Sequence, residues 1–497
     1  METNQAKKHE EHIAKANQAT EEGSSRIKEE RFRLRYHLMP RTGWMNDPNG
    51  LVYFKGSYHA FYQYYPYEPS WGPMHWGHAK SEDLVNWTHL PVALAPSESY
   101  DQGESGGYGC FSGSAVADGD SLALLYTGHV SGNSPVEVQC LAVSSDEGIT
   151  FRKSEANPVI PGPPEEGLLG FRDPKVWKHE DTWYMVIGSG KEGRGNVRLY
   201  ASSDLRDWRN RGIAADSDGS KGDMWECPDL FPLGGGENHV LIVSPMNMGA
   251  TKTMYLSGTF DYEAGKLTTA HAERLDYGFD FYAPQTLEND QGRRILFGWM
   301  NMWGAKMPEQ QDGWAGAMTI PRELSLQPDG SIRMVPVPEL EKLRGERYEV
   351  ESQVIEADTE VALPGIVSDA AEIIAVFDAS HSDAAEFGLR LRCSADGSEY
   401  TEVGYRAADR TLYVNRDHAG LGDGGISEVQ LTSQDDGLLK LHLFLDRSSL
   451  ELFANDGEKT MTNRIYPQPD SLGASLFSRG GNAVLRSFEA YELKSIH

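Results

Sequence analysis

Three carboxylic acids lie in sequence surroundings unlike those of ordinary surface carboxylates. Asp47 occurs in WMNDPNG, Asp173 in GFRDPKVW and Glu226 in DMWECPDLF. Each has aromatic neighbours and a proline within two positions, so partial desolvation should favour the neutral acid, whereas Arg172 should favour the charged form of its neighbour Asp173. Two acids with opposed environments are what the roles of acid and nucleophile require. The three residues are therefore candidates for catalysis.

Cleavage of a glycosidic bond is a reaction that needs such a set. One carboxylic acid protonates the leaving oxygen, and a second carboxylate attacks or stabilises an oxocarbenium-like centre. A third acid can bind sugar hydroxyls. The alternative is structural: Asn, Asp, Pro and Gly each favour turns, so WMNDPNG taken alone is explained equally well by a tight turn.

Tryptophan and tyrosine are dense around these acids, and the apolar face of a sugar ring stacks on such side chains. For most of these rings we favour the alternative that they fill the protein interior. For Trp44, Trp71 and Trp314 we favour a sugar-binding role instead. The aromatic residues considered are Trp44, Tyr62, Tyr64, Trp71, Trp76, Trp225, Tyr282, Trp299, Trp303 and Trp314.

The bulk composition limits the classes of partner. The chain has 497 residues, of which 39% are hydrophobic and 10% aromatic, and its formal net charge is −28. Binding of nucleic acid or of an anionic membrane would need a basic footprint, so we expect neither. No run approaches the roughly 18 apolar residues that cross a bilayer. A neutral ligand is not repelled by this negative charge.

The N-terminal sequence and the cysteines indicate a compartment. Residues 1–23 contain neither the apolar core nor the small-residue cleavage site of a secretory signal. The four cysteines form no CxxC pair, which is typical of reduced thiols. We therefore expect a cytoplasmic protein. His75 and His78 in MHWGH suggest a metal site, but no third ligand is evident, so we expect no metal and no organic cofactor.

Two changes in composition and residue pattern divide the chain into three parts. Residues 1–35 are rich in Lys, Glu, Ala and Gln and predict a helical N-terminal extension. Residues 36–340 alternate short aromatic and β-branched runs with turn residues, which indicates β-structure. Residues 352–497 alternate apolar and polar positions, a pattern typical of an antiparallel β-sandwich. Exposed sandwich edges offer a surface for a homodimer.

A weak internal repeat predicts the architecture of residues 36–340. SEDLVNW, SSDEGITF and SSDLRDW share a Ser-x-Asp core followed by an aromatic residue, with their aspartates 63 and 58 positions apart. Polar landmarks recur at intervals of 65, 61, 53 and 56 positions, at Asp47, Ser112, Asp173, Glu226 and Tyr282. Such a period leaves room for a four-stranded blade, so five landmarks predict five propeller blades around one axial pocket. A tandem of independent β-domains is the alternative.

The motifs, taken in order, resemble one family. WMNDPNG, FYQYYPYEPSWGPMHWGHAKSEDLVNW, CFSGSAV, FRDPKVW, WECPDLF, FYAPQ and GWAGAMTIPREL are similar to the successive signature blocks of the family 32 glycoside hydrolases. This family includes invertases, sucrose-6-phosphate hydrolases and fructanases. DRSSLELFANDGEKTMTNRIYP resembles the C-terminal signature of the same family. The resemblance implies an all-β fold, a five-bladed β-propeller followed by an antiparallel β-sandwich.

Carried over by position, the resemblance implies a retaining β-fructofuranosidase. Asp47 would be the nucleophile that forms a covalent fructosyl-enzyme, and Glu226 the acid/base. Asp173, with Arg172, would hold fructose hydroxyls and stabilise the transition state. The fructose subsite would be lined by Asn46, Gln63, Trp71, Phe111 and Ser112, with Trp44, Tyr282 and Trp314 as further walls. Retention predicts that the carboxyl groups of Asp47 and Glu226 lie roughly 5–5.5 Å apart.

The expected substrate is a small sugar, sucrose or sucrose 6-phosphate. Within the enzyme class, the alternatives are hydrolysis of levan or inulin and transfer of fructose to another sugar. Outside it, the alternative is a sugar-binding propeller that has lost catalysis. The stretch DQGESGGYG, residues 101–109, is longer and richer in glycine than is usual in the family. Because it closely precedes Phe111 and Ser112, it leaves the leaving-group preference open.

Overall fold

The computed structural model describes residues 4–27, 30–104, 106–132, 136–249, 252–432, 434 and 436–497. These residues are nearly all in β-strands and loops. They contain one α-helix, α1 (Asn4–Ser24), and two short 3₁₀ helices, Pro308–Asp312 and Pro338–Leu343. Within the described ranges, no helix combines the length and the apolar character that a bilayer crossing requires.

Five antiparallel sheets form the blades of a propeller. The first blade contains β1 (Gly43–Phe54), β2 (Ser57–Tyr65), β3 (His75–Ser81) and β4 (Trp87–Leu94). The second contains β5 (Tyr108–Asp118), β6 (Ser121–Val130), β7 (Val136–Ser144) and β8 (Arg152–Lys153). The third contains β9 (Phe171–His179), β10 (Thr182–Lys191), β11 (Arg194–Ser202) and β12 (Arg209–Asp216).

The last two blades have the same up-and-down order. The fourth contains β13 (Trp225–Pro232), β14 (Asn238–Pro245), β15 (Met254–Asp261) and β16 (Lys266–Arg274). The fifth contains β17 (Tyr282–Glu288), β18 (Arg294–Trp299), β20 (Arg322–Leu326) and β21 (Ile332–Pro336). The short strand β19 (Trp314–Ala315) leaves the fifth blade and pairs in parallel with β1, so it ties the end of the ring to its beginning.

The Ser-x-Asp repeat is the turn that leads to the outermost strand of the first three blades. Asp83 accepts the backbone N–H groups of Val85 and Asn86, and Asp204 accepts those of Arg206 and Asp207. Asp146 does the same for Thr150 in the second blade. An aspartate that satisfies its own turn in this way is a local folding signal. The repeat is therefore structural and lies away from the propeller axis.

A β-sandwich follows the propeller. One sheet contains β22 (Arg344–Val350), β34 (Ala483–Leu493), β25 (Ala371–Asp378), β30 (Leu438–Asp446), β31 (Ser449–Ala454) and β32 (Lys459–Arg464), with β23 (Gln353–Ile355) beside β34. The other contains β24 (Thr359–Ala362), β33 (Gly473–Arg479), β26 (Glu386–Cys393), β27 (Thr401–Arg406), β28 (Thr411–Asn415) and β29 (Ile426–Gln430). The predicted fold class is confirmed.

Alternation of burial explains the sandwich core. In β25, Ile373, Ala375 and Phe377 are fully buried, whereas Ile374 and Val376 between them are partly exposed. A strand directs successive side chains to opposite faces, so the odd positions pack against the facing sheet. The inner faces of both sheets contribute to one large apolar cluster.

A buried ionic network joins the propeller to the sandwich. His37 bonds Asp446 through Nδ1 and Glu451 through Nε2, each at 2.8 Å. The Arg322 guanidinium contacts Asp276 at 2.9 Å and Glu451 at 2.6 Å. All five side chains are almost completely buried, so their charges are satisfied only by one another and by neighbouring hydrogen bonds.

The backbone also bridges the two domains. The N–H of Tyr277 donates to Thr460 O at 2.8 Å, and that of Asp280 donates to Thr462 O at 3.1 Å. Gly278 lies between them, where a Cβ atom would come within 1.9 Å of Thr462 O. Only glycine permits this approach, so the segment that leads into β17 is fixed against the sandwich.

The helix α1 covers the edge of the first blade. Asn17 Oδ1 accepts the N–H of Val92 at 2.9 Å, and His9 Nε2 accepts the N–H of Ala95 at 3.2 Å. These backbone groups belong to β4 and to the segment after it, so the helix supplies partners to an edge that would otherwise lack them.

The network gives a prediction for stability against pH. Burial alone would lower the pKa of His37, but the hydrogen bonds and charges of Asp446 and Glu451 outweigh it and raise the pKa to about 9. A raised folded-state pKa stabilises the fold fully below the ordinary value of about 6.5, and this stabilisation is lost as the pH rises through about 9. We expect the melting temperature of the parent protein to fall further between pH 6.5 and 9.5 than that of His37→Gln.

Thermal melts of both proteins across this range measure the effect. The stability difference between them should be greatest near pH 6 and should shrink at alkaline pH. A difference that stays constant over the range would contradict a charged His37 in the folded protein.

Candidate active site

One cavity of about 770 Å³ opens at the propeller axis. Ten of the twelve site residues predicted from the sequence line it. They are Asn46, Asp47, Gln63, Trp71, Phe111, Ser112, Arg172, Asp173, Glu226 and Tyr282. Strands and loops of all five blades contribute to the wall, and the three acids share the same space.

A bulge in each innermost strand brings these side chains together. The pairing register shifts by one residue in every blade: at Met45–Pro48, Phe111–Gly113, Arg172–Lys175, Glu226–Asp229 and Tyr282–Gln285. A bulge leaves one residue unpaired and redirects the side chains beside it. Four of the five bulges contain proline, which has no N–H to lose from the ladder.

The bulge position is strained in three consecutive blades. Asp173, Cys227 and Ala283 have φ values of 65°, 49° and 48°. Residues with a Cβ seldom adopt this left-handed conformation, which costs roughly 1–2 kcal/mol each. The same strain at equivalent points shows that a common backbone shape is imposed where the cavity forms.

Asp47 is held by neutral donors. Ser112 Oγ donates to Oδ2 at 2.7 Å, and Asn46 Nδ2 donates to Oδ1 at 3.0 Å. Trp44 Nε1 donates to Asn46 Oδ1 at 2.7 Å and so fixes the orientation of that amide. Burial raises the pKa of Asp47, and the hydrogen bonds from Ser112 and Asn46 oppose the rise. Among the residues that the structure describes, no Lys or Arg forms an ion pair with this carboxylate.

Asp173 has a strongly perturbed acidity. Burial raises the pKa of this carboxyl group, assisted by the charge of Glu226 and opposed by that of Arg172, and the result is about 7. The N–H of Cys227 donates to Asp173 Oδ2 at 2.9 Å. The Cys227 thiol lies 3.6 Å from both Asp47 Oδ2 and Asp173 Oδ2, and burial keeps its own pKa well above the usual value. A protonated thiol therefore links the two aspartates.

Glu226 is oriented from two sides. Arg172 donates to its Oε1 through Nη2 at 2.6 Å and Nε at 3.1 Å, and Tyr282 OH donates to its Oε2 at 2.6 Å. Arg172 also reaches Glu137 Oε1 at 3.1 Å. The guanidinium therefore bridges the carboxylates of Glu137 and Glu226.

Two predicted wall residues lie outside the cavity, in contrast to the sequence expectation. Trp44 is buried behind it, where its ring stacks on Trp303 with the ring centroids 5.9 Å apart and the planes 25° apart. Trp314 is fully buried in a cluster with Phe32, Leu34 and Tyr466. Strand β19 joins the last blade of the propeller to the first, so the indole of Trp314 packs in the protein interior. Trp44 supports Asn46, and Trp314 has no direct place in the site.

Other lining residues were missed by the sequence analysis. They are His129, Glu137, Pro245, Met246, Asn247, Met248, Gly249, Lys252 and Met302. Trp303, for which the sequence analysis favoured a place in the protein interior, also lines the cavity. Cys227 was also missed, although its place before a proline matches that of Asp47 and Asp173. Glu137 and the methionines carry no local signal, because only the folded chain brings them to the cavity.

The glycine-rich stretch is fixed at both described ends. Asp101 is completely buried and accepts the N–H groups of Ser97 and Glu98 at 2.8 Å. Tyr108 O accepts the N–H of Met74 at 3.2 Å. Ser105 lies outside the described residues. The stretch therefore leads directly into the strand that carries Phe111 and Ser112.

The two histidines of MHWGH lie apart from the cavity. His75 Nδ1 bonds Pro73 O at 2.8 Å, and His78 Nε2 bonds His59 Nδ1 at 2.9 Å. In the described parts of the chain, no group of three or more His, Cys, Asp or Glu side chains is placed to hold a metal ion.

Family models match nearly the whole chain. A model of the glycosyl hydrolases family 32 N-terminal domain matches residues 37–336, and a model of the family 32 C terminal matches residues 339–492. The sucrose-6-phosphate hydrolase of Zymomonas mobilis is 42% identical, with 97% of this chain and 96% of that protein covered. The raffinose invertase of Escherichia coli is 42% identical, with 90% and 93% covered.

Solved structures agree in fold. A variant of the β-fructofuranosidase of Bombyx mori in complex with sucrose superposes with a TM-score of 0.82 at 36% identity, over 99% of both chains. The sucrose-6-phosphate hydrolase of Lactobacillus gasseri superposes with a TM-score of 0.85 at 25% identity, over 97% of both chains.

The raised pKa of Asp173 predicts how the stability of the protein depends on pH. Its folded-state pKa of about 7 lies above the ordinary value of about 3.9, so its ionised form opposes folding. The contribution of Asp173 to the free energy of unfolding therefore falls as the pH rises from about 4 to 7 and stays low above pH 7. We expect Asp173→Asn to melt at a higher temperature than the parent at pH 8, while the advantage disappears near pH 4.

The matched control is Asp118→Asn, which changes an exposed aspartate at the far end of β5. Its melting temperature should follow that of the parent at every pH. A less stable Asp173→Asn protein at pH 8 would contradict the raised pKa.

Proposed function

The chain belongs to glycosyl hydrolases family 32, and from this membership we propose that it is a retaining β-fructofuranosidase that cleaves the fructosyl bond of sucrose or sucrose 6-phosphate. Relatives that share about 42% identity are a sucrose-6-phosphate hydrolase and a raffinose invertase. The chain is thus a glycosidase, and its substrate is a small sugar. The roles given below to individual residues are part of the proposal.

One observation carries the proposal. The carboxyl groups of Asp47, on the first blade, and Glu226, on the fourth, line a single cavity together with Asp173. Their surroundings differ: Asp47 has only neutral donors, whereas Glu226 has a guanidinium and a phenol. Different environments for two facing carboxyl groups support different roles in one reaction.

In the first step Asp47 is the nucleophile. One of its carboxylate oxygens attacks the anomeric carbon of the fructosyl group as the bond to the leaving oxygen breaks. Glu226, protonated at this stage, gives its proton to that oxygen, so the leaving sugar departs as a neutral alcohol. The product on the protein is an ester between Asp47 and fructose.

In the second step water replaces the aspartate. The Glu226 carboxylate takes a proton from water, the water oxygen attacks the anomeric carbon, and the ester bond to Asp47 breaks. Two successive inversions give net retention. Glu226 ends the cycle protonated, as it began.

Arg172 and Asp173 support the fructosyl group. Arg172 bonds Glu226 Oε1 through both Nε and Nη2. We infer that the guanidinium orients the Glu226 carboxyl group and, together with Asp173, holds hydroxyl groups of the bound sugar. Asn46, Gln63, Trp71, Phe111, Ser112 and Tyr282 supply the remaining contacts of the subsite.

The alternatives are distinguished by products. A fructosyltransferase would pass fructose to sucrose and form kestose-type oligomers at high sucrose concentration, and a fructan hydrolase would prefer levan or inulin. The presence of two acids in different surroundings in one cavity favours hydrolysis of a fructoside over a purely sugar-binding role. Product analysis at high sucrose concentration separates these cases.

We also infer a cytoplasmic location. All four cysteines are free thiols, and Cys110, Cys140 and Cys227 are buried. A chain with several unpaired thiols and no disulfide is typical of a reducing compartment.

Substitution of the two acids tests the assignment. We expect Asp47→Asn to lower kcat for sucrose roughly 10⁴-fold or more, because it removes the nucleophile. Glu226→Gln should lower kcat about 10²–10⁴-fold, because it removes the proton donor. Steady-state release of glucose and fructose measures both, with folding checked by the melting temperature.

Asp118→Asn is the control for a loss of one carboxylate outside the site. It should cleave sucrose at the rate of the parent. Turnover by Asp47→Asn or Glu226→Gln equal to that of the parent would refute the roles given to these acids.

A further inference from the structure

We propose that the site selects a fructoside whose leaving group carries no phosphate, so that sucrose, and not sucrose 6-phosphate, is the preferred substrate. This inference rests on the proposed fructosidase activity and narrows it. It follows from the charges and the apolar groups that line the cavity.

Acidic side chains outnumber basic ones in the cavity. Four acidic side chains line it, Asp47, Glu137, Asp173 and Glu226, against two basic side chains, Arg172 and Lys252. Arg172 is engaged by Glu137 and Glu226 at 2.6–3.1 Å. Its charge is therefore already balanced before any ligand arrives.

Lys252 is poorly placed to replace the hydration shell of a phosphate. Its ammonium donates to Phe279 O at 2.6 Å and lies 5.7 Å from the centroid of the Phe279 ring. Burial lowers its pKa, and the nearby charge of Arg416 lowers it further against the pull of Asp280. A single, partly buried ammonium with a carbonyl partner gives little compensation for a dianion.

His129 is also engaged. Its ring stacks on Phe111 with centroids 4.1 Å apart, and its Nε2 bonds Ser131 Oγ at 2.9 Å. Its Nδ1 lies 3.4 Å from Glu137 Oε1. Both ring nitrogens therefore face protein groups, and the carboxylate at Nδ1 would repel a phosphate placed beside it.

The rest of the mouth suits a neutral sugar. Met246, Met248, Met302 and Trp303 line it, and the Trp303 side chain is 44% exposed with one face covered by Trp44. Aromatic and thioether groups favour the apolar faces of a sugar ring.

A phosphate in such a cavity would lose hydration without gaining a charged partner. Burial of an unpaired charge is costly, and like charges across an interface are repelled. We expect kcat/KM for sucrose 6-phosphate to be at least about tenfold below that for sucrose, mainly through a higher KM.

The first experiment compares the two substrates on the parent protein at fixed pH and ionic strength. Equal kcat/KM values, or a higher value for the phosphorylated sugar, would overturn the inference while leaving the proposed activity intact. Failure to cleave either sugar would instead refute the proposed activity.

Variants at the mouth test the electrostatic cause. Met248→Lys should raise kcat/KM for sucrose 6-phosphate relative to sucrose by about tenfold over Met248→Gln, which is neutral and of similar length. Lys252→Met should change kcat/KM by the same factor for sucrose and for sucrose 6-phosphate. A selective fall of kcat/KM for sucrose 6-phosphate in Lys252→Met would show that this lysine binds phosphate and would overturn the inference.

A second, independent feature lies in the axial channel. We infer that the ion pair between Lys175 and Asp229 positions the catalytic acids. Lys175 follows Asp173 by two residues on the third blade, and Asp229 follows Glu226 by three on the fourth. Lys175 Nζ lies 3.1 Å from Asp229 Oδ2, and both side chains are buried.

This pair is the centre of a belt that joins the inner strands. Lys175 Nζ donates to Thr286 O at 2.7 Å, and Thr286 N donates to Asp229 Oδ2 at 2.6 Å. Gln285 Nε2 donates to Gly113 O at 2.6 Å, and Ser114 Oγ donates to Pro174 O at 2.8 Å. Strands of the second to fifth blades are thereby held together just beyond the bulges.

The pair therefore limits how far Asp173 and Glu226 can move apart. Small displacements of reacting groups cost large factors in rate, whereas the affinity for a sugar with many contacts changes less. We expect Lys175→Met to lower kcat more than tenfold with KM changed less than about threefold, and Lys175→Arg to restore part of the rate.

Arg344→Met is the control, because Arg344 forms a comparable pair with Glu372 at 2.6 Å in the sandwich. It should lower the melting temperature but leave kcat unchanged. Asp229→Asn, which keeps an acceptor for Thr286, serves where Lys175→Met does not fold. Folded variants at either position with the kcat of the parent would overturn the positioning role.

Discussion

The position of the site depends on one backbone constraint, the bulge that every innermost strand forms at the same level of the propeller. A propeller brings five strands to its axis, but regular strands would direct their side chains alternately to the two faces of each blade. The extra residue in each strand redirects the polar side chains towards the axis. The left-handed conformations of Asp173, Cys227 and Ala283 are the strain that accompanies this arrangement, and the buried belt around Lys175 and Asp229 holds it.

Burial then separates the chemical roles of acids that are similar in sequence. Asp47 and Asp173 both precede a proline in a bulge, and the thiol of Cys227 contacts both. Burial raises the pKa of each, to about 7 for Asp173, whereas Arg172 and Tyr282 bond Glu226 directly. In the proposed substrate preference, an added phosphate is unfavourable because the two basic side chains of the cavity are already bonded to protein groups. Catalysis and substrate choice thus have a common electrostatic origin.

The sequence predicts the propeller and the sandwich, because turns and alternation are local signals. It also names half of the residues that line the cavity, several of them only through the family resemblance. The landmark residues occupy two adjacent positions relative to the bulge proline: Asp47 and Asp173 directly precede it, whereas Glu226 and Tyr282 lie one residue earlier. Both adjacent positions still reach the cavity, since a bulge directs neighbouring side chains to one side. Trp314 was expected to line the cavity but packs in the interior. Composition does not give the direction in which a side chain points. The contact of His37 with Asp446 joins residues 409 positions apart and has no local signal.

The most direct measurement is the identification of the residue that carries fructose during turnover. The protein would be mixed with saturating sucrose, quenched in acid within the first turnovers, digested and examined by mass spectrometry, with the anomer first released followed by NMR. The account predicts a mass increase of one anhydrohexose on the peptide that contains Asp47, and release of the retained anomer. An adduct on another residue, or release of the inverted anomer without an adduct, would contradict it.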